Sequence, residues 1–511
     1  MIIKGRERTS PIRESADVCI IGSGCGGGAS AKILAEAGKR VIVLEEGGYY
    51  TSQDFDSTEQ TAYSQLYQLR AGQATDDLGV TVLQGRCVGG SSTVNWTTSL
   101  RTPEFVLRTW ETEFGTEGLS PADLEPYFTR IERYLNIHTE PEAHHSPNNR
   151  IILDGARKLG YRAGANGRNT KDCIRAGACG LGCPYGAKQS VDVTYIPDAV
   201  AAGATVFADC RAEKIEVAGR RKRVTGDVLD PETRHPRTSF TIEAPVVIVA
   251  GSSINSPVLL LKSGLANSSG QVGKNLTFHL TSAVLGFFDR EIYPAGGIPQ
   301  SVMCDEFLNK KGDGGGFWIE SVPVYPALTG LSLPGFGPAH HAMMRQFHTL
   351  GASIVLVKEI DSAGSVTVND HGRAVVSYDL GRRDREYLRQ GLAVAAAIHL
   401  AAGAKKAMTL HTQRTEFTDP SMVDRVLADA HFGMNDLTLF SAHPLGTCRM
   451  GRDPRRSVVD SHCQAHDVKG LFVIDGSVTP TSLGVNPQVT ILAIAEKNAE
   501  WIASNFSSLT S

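Results

Sequence analysis

The sequence of 511 residues has no run of about eighteen or more apolar residues, so it predicts no membrane-spanning helix. Its first fifteen residues, MIIKGRERTSPIRES, have no apolar core typical of a secretory signal, and a cytoplasmic location is expected. A large excess of charge of one sign is also missing. The net charge of −3 gives no electrostatic argument for a nucleic acid partner or an anionic membrane surface.

Cysteine is scarce as well. Ten cysteines in 511 residues do not make a disulfide framework, and in the cytosol they are expected as thiols unless they hold a metal. There is no internal repeat and no low-complexity tract. The chain is longer than one hydrophobic core usually supports, so the sequence predicts two domains.

The N-terminal region contains a dinucleotide-binding pattern. A short β-branched run at 17–21 is followed by Gly22, Gly24 and Gly27, a helix of small residues, and a second strand that ends at Glu45. Glycines at this turn let a pyrophosphate approach a helix N-terminus, and the acidic residue binds ribose hydroxyls. Because strand, glycines, helix, strand and acid occur in the required order, the pattern predicts a bound dinucleotide.

The C-terminal region places reactive groups around a second predicted helix. His443 lies in the turn-rich run AHPLGTCRMG, and an apolar strand then ends at Asp475 and Gly476. Asn486 and Pro487 precede a helical stretch that continues to about residue 505. Asn suits the N-cap and Pro the first turn, so the helix is predicted to begin there. Its N-terminus would offer free N–H groups to an anion or an electron-rich ring.

Together the two ends resemble the glucose–methanol–choline (GMC) family of flavin-dependent oxidoreductases. QGRCVGGSSTVN at 84–95, PVVIVAGSSINSPVLLLKSG at 245–264 and VGKNLTFH at 272–279 are similar to further segments of that family. The C-terminal block looks most like the cholesterol oxidase and long-chain alcohol oxidase branches. The resemblance covers almost the whole chain and implies FAD, where the glycine pattern alone leaves FAD and NAD open. The implied FAD-binding residues are Gly22, Gly24, Gly27, Glu45, Gly89, Gly90, Asn95, Ala212, Gly251, Asp475, Gly476, Asn486 and Pro487.

The expected fold class is α/β plus α+β. A Rossmann-like FAD-binding domain is predicted from the discontinuous segments 1–100, 190–283 and 435–511. Residues 101–189 are predicted as a cap region with a cysteine-rich loop, and 284–434 as a substrate-binding domain. Residues 284–434 have strand-like runs followed by one clearly predicted helix at 383–401. This order suits an antiparallel sheet that covers a cavity over the flavin.

Three residues are candidates for chemistry on an alcohol, from which a proton and a hydride must both leave. His443 is predicted as the base, because histidine titrates near neutral pH. The family has a second His or an Asn beside this His, and Asn486 is predicted to hold the substrate oxygen. Glu320 lies in the apolar run FWIE, where a carboxylate should be neutral, paired or functional. The alternative for His443 is a histidine that only bonds the local backbone of a turn. Asn486 could instead be only a helix cap, and Glu320 an exposed residue of an edge strand.

Cys173, Cys179 and Cys183 have the spacing C-x5-C-x3-C-P. This is the bacterial ferredoxin run C-x2-C-x2-C-x3-C-P with Ala176 at the second cysteine. Three thiolates could hold a three-iron cluster, and some GMC glucose dehydrogenases carry one on a similar spacing. The alternative is a structural loop at the rim of the site, and no bound metal is the expectation.

The sequence therefore predicts an FAD enzyme that oxidises a primary or secondary alcohol to an aldehyde or ketone. The expected partners are a small-molecule alcohol and, as acceptor, oxygen or an unknown electron carrier. One alternative is a dehydrogenase that passes electrons through a cluster at Cys173. Another is a non-redox flavoprotein lyase, a class that the family also contains.

Overall fold

The computed structural model describes residues 1–433 and 435–511. Numbered in chain order, the strands are β1 (Ile2–Ile3), β2 (Ile12–Ser15), β3 (Val18–Ile21), β4 (Val41–Leu44), β5 (Val80–Val82), β6 (Ile137–Thr139), β7 (Ala163–Ala165), β8 (Gly167–Asn169), β9 (Thr205–Phe207), β10 (Cys210–Ala218), β11 (Arg221–Leu229), β12 (Pro236–Ala244), β13 (Val246–Val249), β14 (Lys274–Leu276), β15 (Thr281–Phe287), β16 (Val302–Cys304), β17 (Gly316–Ser321), β18 (Leu350–Lys358), β19 (Ala363–Val368), β20 (Ala374–Asp379), β21 (Lys406–Thr409), β22 (Thr415–Phe417), β23 (Leu439–Ser441) and β24 (Leu471–Val473).

The α-helices are α1 (Cys25–Glu36), α2 (Glu59–Leu66), α3 (Ser91–Val94), α4 (Glu104–Phe114), α5 (Pro121–Tyr134), α6 (Pro147–Lys158), α7 (Tyr195–Ala201), α8 (Ser252–Ser263), α9 (Pro326–Ser332), α10 (Gly337–Met344), α11 (Arg382–Ala401), α12 (Pro420–Ala428), α13 (Gln488–Ser504) and α14 (Phe506–Thr510). Short 3-10 turns lie at Gly5–Glu7, Gln68–Ala71, Glu142–His144, Cys179–Leu181, Phe347–Thr349 and Gly476–Val478.

A six-stranded parallel sheet forms the first core, with strand order β1-β9-β4-β3-β13-β24. Four adjacent strands, β4, β3, β13 and β24, are buried over their whole length, as expected for a parallel sheet that is covered on both faces. On one face α1 packs against α13, so the two ends of the chain meet. The predicted Rossmann-like unit is confirmed.

The second core is built on a nine-stranded sheet. Its main path is β22-β21-β15-β18-β17-β16-β7, with antiparallel neighbours, and β23 and β5 extend it beside β15. The helix predicted at 383–401 is α11, which packs against β18 and β15. The antiparallel sheet predicted for the second half of the chain is therefore present.

The buried apolar residues form two main cores, each built from different segments of the chain. One includes residues from 3–272 and 445–509, and the other is built mainly from 276–437. Within the predicted cap region, α4 and α5 pack into the first core and α6 into the second. No helix in the described residues is both long and apolar enough to cross a membrane.

Candidate active site

The glycine loop between β3 and α1 forms one wall of a large cavity. Gly22 has a φ of 103°, and a Cβ there would lie 2.2 Å from the carbonyl oxygen of Ala250, so only glycine fits. In contrast, a Cβ on Gly24 would meet nothing nearer than the Cα of Gly90, at 3.8 Å. Gly24 is the N-cap of α1. It therefore keeps open the space in front of a helix N-terminus, which is where phosphate groups bind.

Two of the predicted FAD-binding glycines, Gly27 and Gly89, do not line this cavity. A Cβ on Gly27 would lie 1.9 Å from the carbonyl oxygen of Gly22, so this glycine lets α1 pack closely on β3. The N–H of Gly89 donates to Oγ of Ser23 at 3.1 Å, and its φ is 93°. Both glycines shape the loops that surround the cavity.

Glu45 lies at the end of β4 and lines the cavity. Its Oε2 accepts hydrogen bonds from the N–H and the hydroxyl of Ser23, at 3.0 and 2.7 Å, and its Oε1 accepts from the N–H of Gly47 at 2.8 Å. Burial raises the pKa of Glu45. A carboxylate offers about four acceptor sites, and Glu45 uses three of them to order the glycine loop, so one is left for a ligand.

The other predicted FAD-binding residues all line the same cavity: Gly90, Asn95, Ala212, Gly251, Asp475, Gly476, Asn486 and Pro487. Asp475 also binds the beginning of α8. Its Oδ2 accepts hydrogen bonds from the N–H of Ser252 at 2.8 Å and from the hydroxyl of Ser256 at 2.5 Å. This buried carboxylate fixes the start of α8 next to the end of β24.

Glu320, His443 and Asn486, which are far apart in sequence, come together at this cavity. Glu320 lies on β17 and is fully buried, so the alternative of an exposed edge residue is excluded. Its Oε2 accepts a long hydrogen bond of 3.4 Å from Nδ2 of Asn486, and its Oε1 has no partner among the described residues. Burial raises the pKa of Glu320 to about 7. A carboxyl group of this pKa can exchange a proton at neutral pH.

Asn486 is not the helix cap that the sequence predicts. Helix α13 begins at Gln488, Pro487 is its N-cap, and no side chain caps it. The N-cap prediction is wrong because Oδ1 of Asn486, the atom that would accept from a helix N–H, has no partner among the described residues, while Nδ2 donates to Glu320. The first turn of α13 thus keeps free N–H groups beside the cavity, which Gln488 also lines.

His443 lies against a second histidine, His279, which the sequence analysis did not identify as a site residue. Their Nδ1 atoms are 3.2 Å apart. His279 is fully buried, and its Nε2 accepts hydrogen bonds from the backbone N–H groups of Leu483 and Gly484, at 2.9 and 3.0 Å. Burial lowers the pKa of His443 to about 4, and that of His279 well below its ordinary value. The only sequence signal for His279 is its place at the end of the VGKNLTFH segment.

Four buried acceptor atoms on residues that line the cavity have no hydrogen-bond partner among the described residues: Oε1 of Gln68, Oε1 of Gln84, Oε1 of Glu320 and Oδ1 of Asn486. An unpaired buried polar atom costs roughly 1–3 kcal/mol, so this cavity suits a ligand that brings hydrogen-bond donors. FAD has such donors on its ring, its ribityl chain and its adenine. With the open space at Gly24, the residues present fit FAD.

The cysteine-rich loop lies at a separate, small cavity that is lined by Cys173, Cys179, Cys183 and Arg168. Arg168 is fully buried and donates to Glu140 at 2.8 Å, but its Nη2 has no partner among the described residues. In the part of the chain that the structure describes, no group of three or more His, Cys, Asp or Glu side chains is arranged to hold a single metal ion.

Comparison with known proteins supports the family seen in the motifs. The N-terminal and C-terminal family models of GMC oxidoreductases match residues 25–281 and 361–495. A long-chain-alcohol oxidase of Arabidopsis thaliana is 31% identical over 94% of this chain, and the chain spans about two thirds (66%) of that relative's length. An uncharacterized GMC-type oxidoreductase of Sinorhizobium fredii is 30% identical over 98% of this chain and 97% of its own.

Solved structures show the same fold at lower identity. Pyridoxine 4-oxidase from Mesorbium loti has a TM-score of 0.70 and 20% identity, and covers 95% of this chain and 98% of its own. A formate oxidase of Aspergillus oryzae RIB40 has a TM-score of 0.71 and 17% identity, over 98% of this chain and 100% of its own. With the family models and a relative that aligns end to end, the chain belongs to the GMC oxidoreductase family, and its cofactor is FAD.

Proposed function

We propose that the protein oxidises an alcohol to an aldehyde or ketone with FAD, by removal of the hydroxyl proton and transfer of hydride. The convergence of Glu320, His443 and Asn486 on the cavity that fits FAD carries this proposal. The relatives named as long-chain-alcohol oxidases support it. FAD, when bound, supplies the acceptor of the hydride from the carbinol carbon.

Two of the three groups could take the hydroxyl proton. His443 is the residue that the sequence predicts as base, and its Nε2 has no hydrogen-bond partner among the described residues. Glu320 is the other, because its pKa of about 7 leaves it largely ionised in mildly alkaline solution and its Oε1 is unpaired. Asn486 does not titrate, and its amide would hold the substrate oxygen or the ring of the cofactor in place.

We propose further that the FAD-binding unit consists of 1–100, 190–283 and 435–511, and that 101–189 and 284–434 cover the substrate. The nine-stranded sheet lines the cavity with Thr281, Ile354, Leu356 and Phe440, beside Glu320. Among the described residues, Glu320 is the one charged side chain of this sheet that lines the cavity. An apolar wall of this kind favours an alcohol with a hydrocarbon chain over a sugar. Oxygen is the proposed acceptor, after the oxidases among the relatives.

A series of linear primary alcohols tests the reaction and the substrate class together. We expect anaerobic bleaching of the flavin, with kcat/KM rising about fourfold for each added methylene until the cavity is filled, because burying a CH₂ group contributes about 0.8 kcal/mol. A polyol of matched length is the control and should react poorly. Flavin that no alcohol bleaches would favour the lyase alternative, and a preference for polyols would contradict the proposed substrate class.

A second candidate function is a dehydrogenase that passes electrons through an iron–sulfur cluster. The observation that favours it is the small cavity lined by Cys173, Cys179 and Cys183. The buried cation Arg168 also lines this cavity, and its Nη2 has no hydrogen-bond partner among the described residues. A cluster held by three thiolates would carry negative charge that this guanidinium could stabilise.

Iron content separates the two candidates. An oxidase without a cluster should contain almost no iron when prepared anaerobically, and this is the result we expect. A cluster would give about three irons per chain, and Cys179→Ser should remove them while FAD stays bound. Cys304→Ser is the matched control, because Cys304 is also buried but lies on β16, away from this cavity. Iron that is lost in Cys179→Ser alone would overturn our expectation.

A further inference from the structure

The hydrogen bonds around His279 determine where its proton lies. Its Nε2 accepts from two backbone N–H groups, of Leu483 and Gly484, and a nitrogen that accepts a hydrogen bond carries no proton. A neutral imidazole has one N–H, which must then be on Nδ1. The backbone of this segment is also fixed, because the N–H groups of Phe278, His279 and Leu280 all donate to the buried carboxylate of Glu359.

The proton of His279 in turn determines the tautomer of His443. Nδ1–H of His279 is directed at Nδ1 of His443, 3.2 Å away, so the latter atom must accept. The proton of a neutral His443 is then on Nε2, the ring nitrogen that has no partner among the described residues and is free to meet a ligand in the cavity that His443 lines. A second proton would have to go on Nδ1 of His443, where it would meet the N–H of His279.

We propose that His279 is a positioning residue that fixes the proton of His443 on Nε2, so that His443 offers the alcohol oxygen a hydrogen-bond donor and not a base. This inference rests on the proposed alcohol oxidation and deepens it. The proton acceptor is then Glu320, and the N–H of His443 stabilises the negative charge that develops on the oxygen as the proton leaves.

The surroundings of the pair keep both rings neutral. His279 is fully buried, and the ring of Trp318 lies edge-on to it with centroids 5.1 Å apart. Lys358 is the nearby cation and disfavours a charge on His279. The nearby carboxylates are Glu359, which binds the backbone of the segment, and Glu320, which lines the same cavity as His443. Burial lowers the pKa of both rings, which agrees with this assignment.

Two substitutions at His279 separate its two hydrogen-bonding functions. In His279→Gln the side-chain oxygen reaches the position of Nε2 and can accept from Leu483 and Gly484, but no donor remains for His443. In His279→Asn the amide nitrogen occupies the position of Nδ1 and can donate to His443, while the two backbone N–H groups lose their acceptor. His279→Gln therefore keeps the acceptor for the N–H groups of Leu483 and Gly484. His279→Asn keeps the donor that fixes the tautomer of His443.

Nitrogen NMR of the FAD-loaded protein, labelled with ¹⁵N-histidine, measures the tautomer directly. The His443 signals are assigned by their loss in His443→Gln. In the wild type we expect an unprotonated Nδ1 and a protonated Nε2 on His443 from about pH 5.5 to about pH 8.5. This range brackets the ordinary histidine pKa of about 6.5, so an unperturbed ring would titrate within it. In His279→Gln we expect the protonated fraction of Nδ1 to rise, because no N–H is then directed at that atom. A protonated Nδ1 in the wild type, or ordinary titration of its ring, would overturn the proposal.

Kinetics and stability give a second, independent readout. We expect His279→Asn to reduce flavin with alcohol faster than His279→Gln does, although His279→Asn should have the lower Tm. If His279 only supports the structure, the two variants would rank in the same order for rate and for Tm. The NMR result does not depend on turnover, so failure of the proposed alcohol oxidation would be recognised separately, by wild-type flavin that no alcohol bleaches.

Discussion

Gly24→Val should produce a folded protein that does not bind FAD. A Cβ at this position enters open space, and Gly24 has a φ of −70°, so valine fits the backbone there. Its branched side chain would occupy the cavity in front of α1. Keeping the pyrophosphate from two N–H groups forfeits at least about 3 kcal/mol, so FAD affinity should fall roughly a hundredfold or more. Flavin absorbance of the purified protein and titration with added FAD measure this.

The fold should survive Gly24→Val, because replacing a good N-cap residue costs only about 1 kcal/mol. Gly164→Val is the matched control, since a Cβ on this strand residue meets nothing within 4 Å and lies away from the cavity. Gly26→Val gives the opposite contrast, because its Cβ would lie 1.8 Å from the carbonyl oxygen of Ile474 and should prevent folding. A yellow Gly24→Val protein with normal affinity would show that FAD does not pass this glycine.

Glu320→Gln should slow reduction of the flavin by alcohol by roughly 10² to 10⁴, the usual contribution of a positioned acid–base group. The amide keeps the shape of the side chain but cannot take a proton. In the wild type the rate should rise with pH through about 7, because burial places the pKa of Glu320 there and only the ionised form accepts the proton. Stopped-flow reduction under anaerobic conditions measures the rate, and the variant should lose this pH dependence.

His443 provides the discriminating comparison for that experiment. If His443 were the base, His443→Ala would lose the 10² to 10⁴ of an acid–base group and the pH dependence, while Glu320→Gln would react almost normally. If it is a donor, His443→Gln, which keeps an N–H, should retain more activity than His443→Ala. Glu320→Asp, which withdraws the carboxyl by one methylene, should lie between the wild type and Glu320→Gln.

The same carboxyl group should affect stability. Its pKa in the folded protein, about 7, is higher than the ordinary 4.5, so ionisation favours the unfolded chain. The resulting loss of stability grows as pH rises from about 4.5 to 7 and then stays constant, at about 3 kcal/mol. Without bound FAD, Glu320→Gln should therefore unfold at a higher temperature than the wild type at pH 8, with little difference at pH 4.5.

Local patterns predicted much of this molecule. The glycine loop and its flanking elements follow from residues 17–45, because neighbours in sequence decide a tight turn, a small-residue helix and two buried strands. β3 begins at Val18 within the predicted run 17–21, and β4 ends at Leu44, directly before Glu45. Helix α11 begins at Arg382, where the sequence predicted 383. Segments with strong local periodicity are predicted well because tertiary contacts only reinforce them.

Contacts between distant segments could not be predicted in this way. The sequence favours Asn486 as a cap, since its competing partner, Glu320, lies 166 residues away. It does not indicate that His279 pairs with His443 across 164 residues. Nor does it show that Gly24 faces the cavity while Gly27 faces a backbone carbonyl, because both satisfy the same motif.

The strand order of the parallel sheet has a consequence for synthesis on the ribosome. β13 pairs with β24, and roughly 220 residues of chain separate the two. At about 5–20 residues per second, the edge of β13 waits roughly 10 to 45 s for its partner strand to emerge. During that time an apolar strand edge is open to other nascent chains. Translation rate and chaperone supply should therefore limit the yield of this protein more than its final stability does.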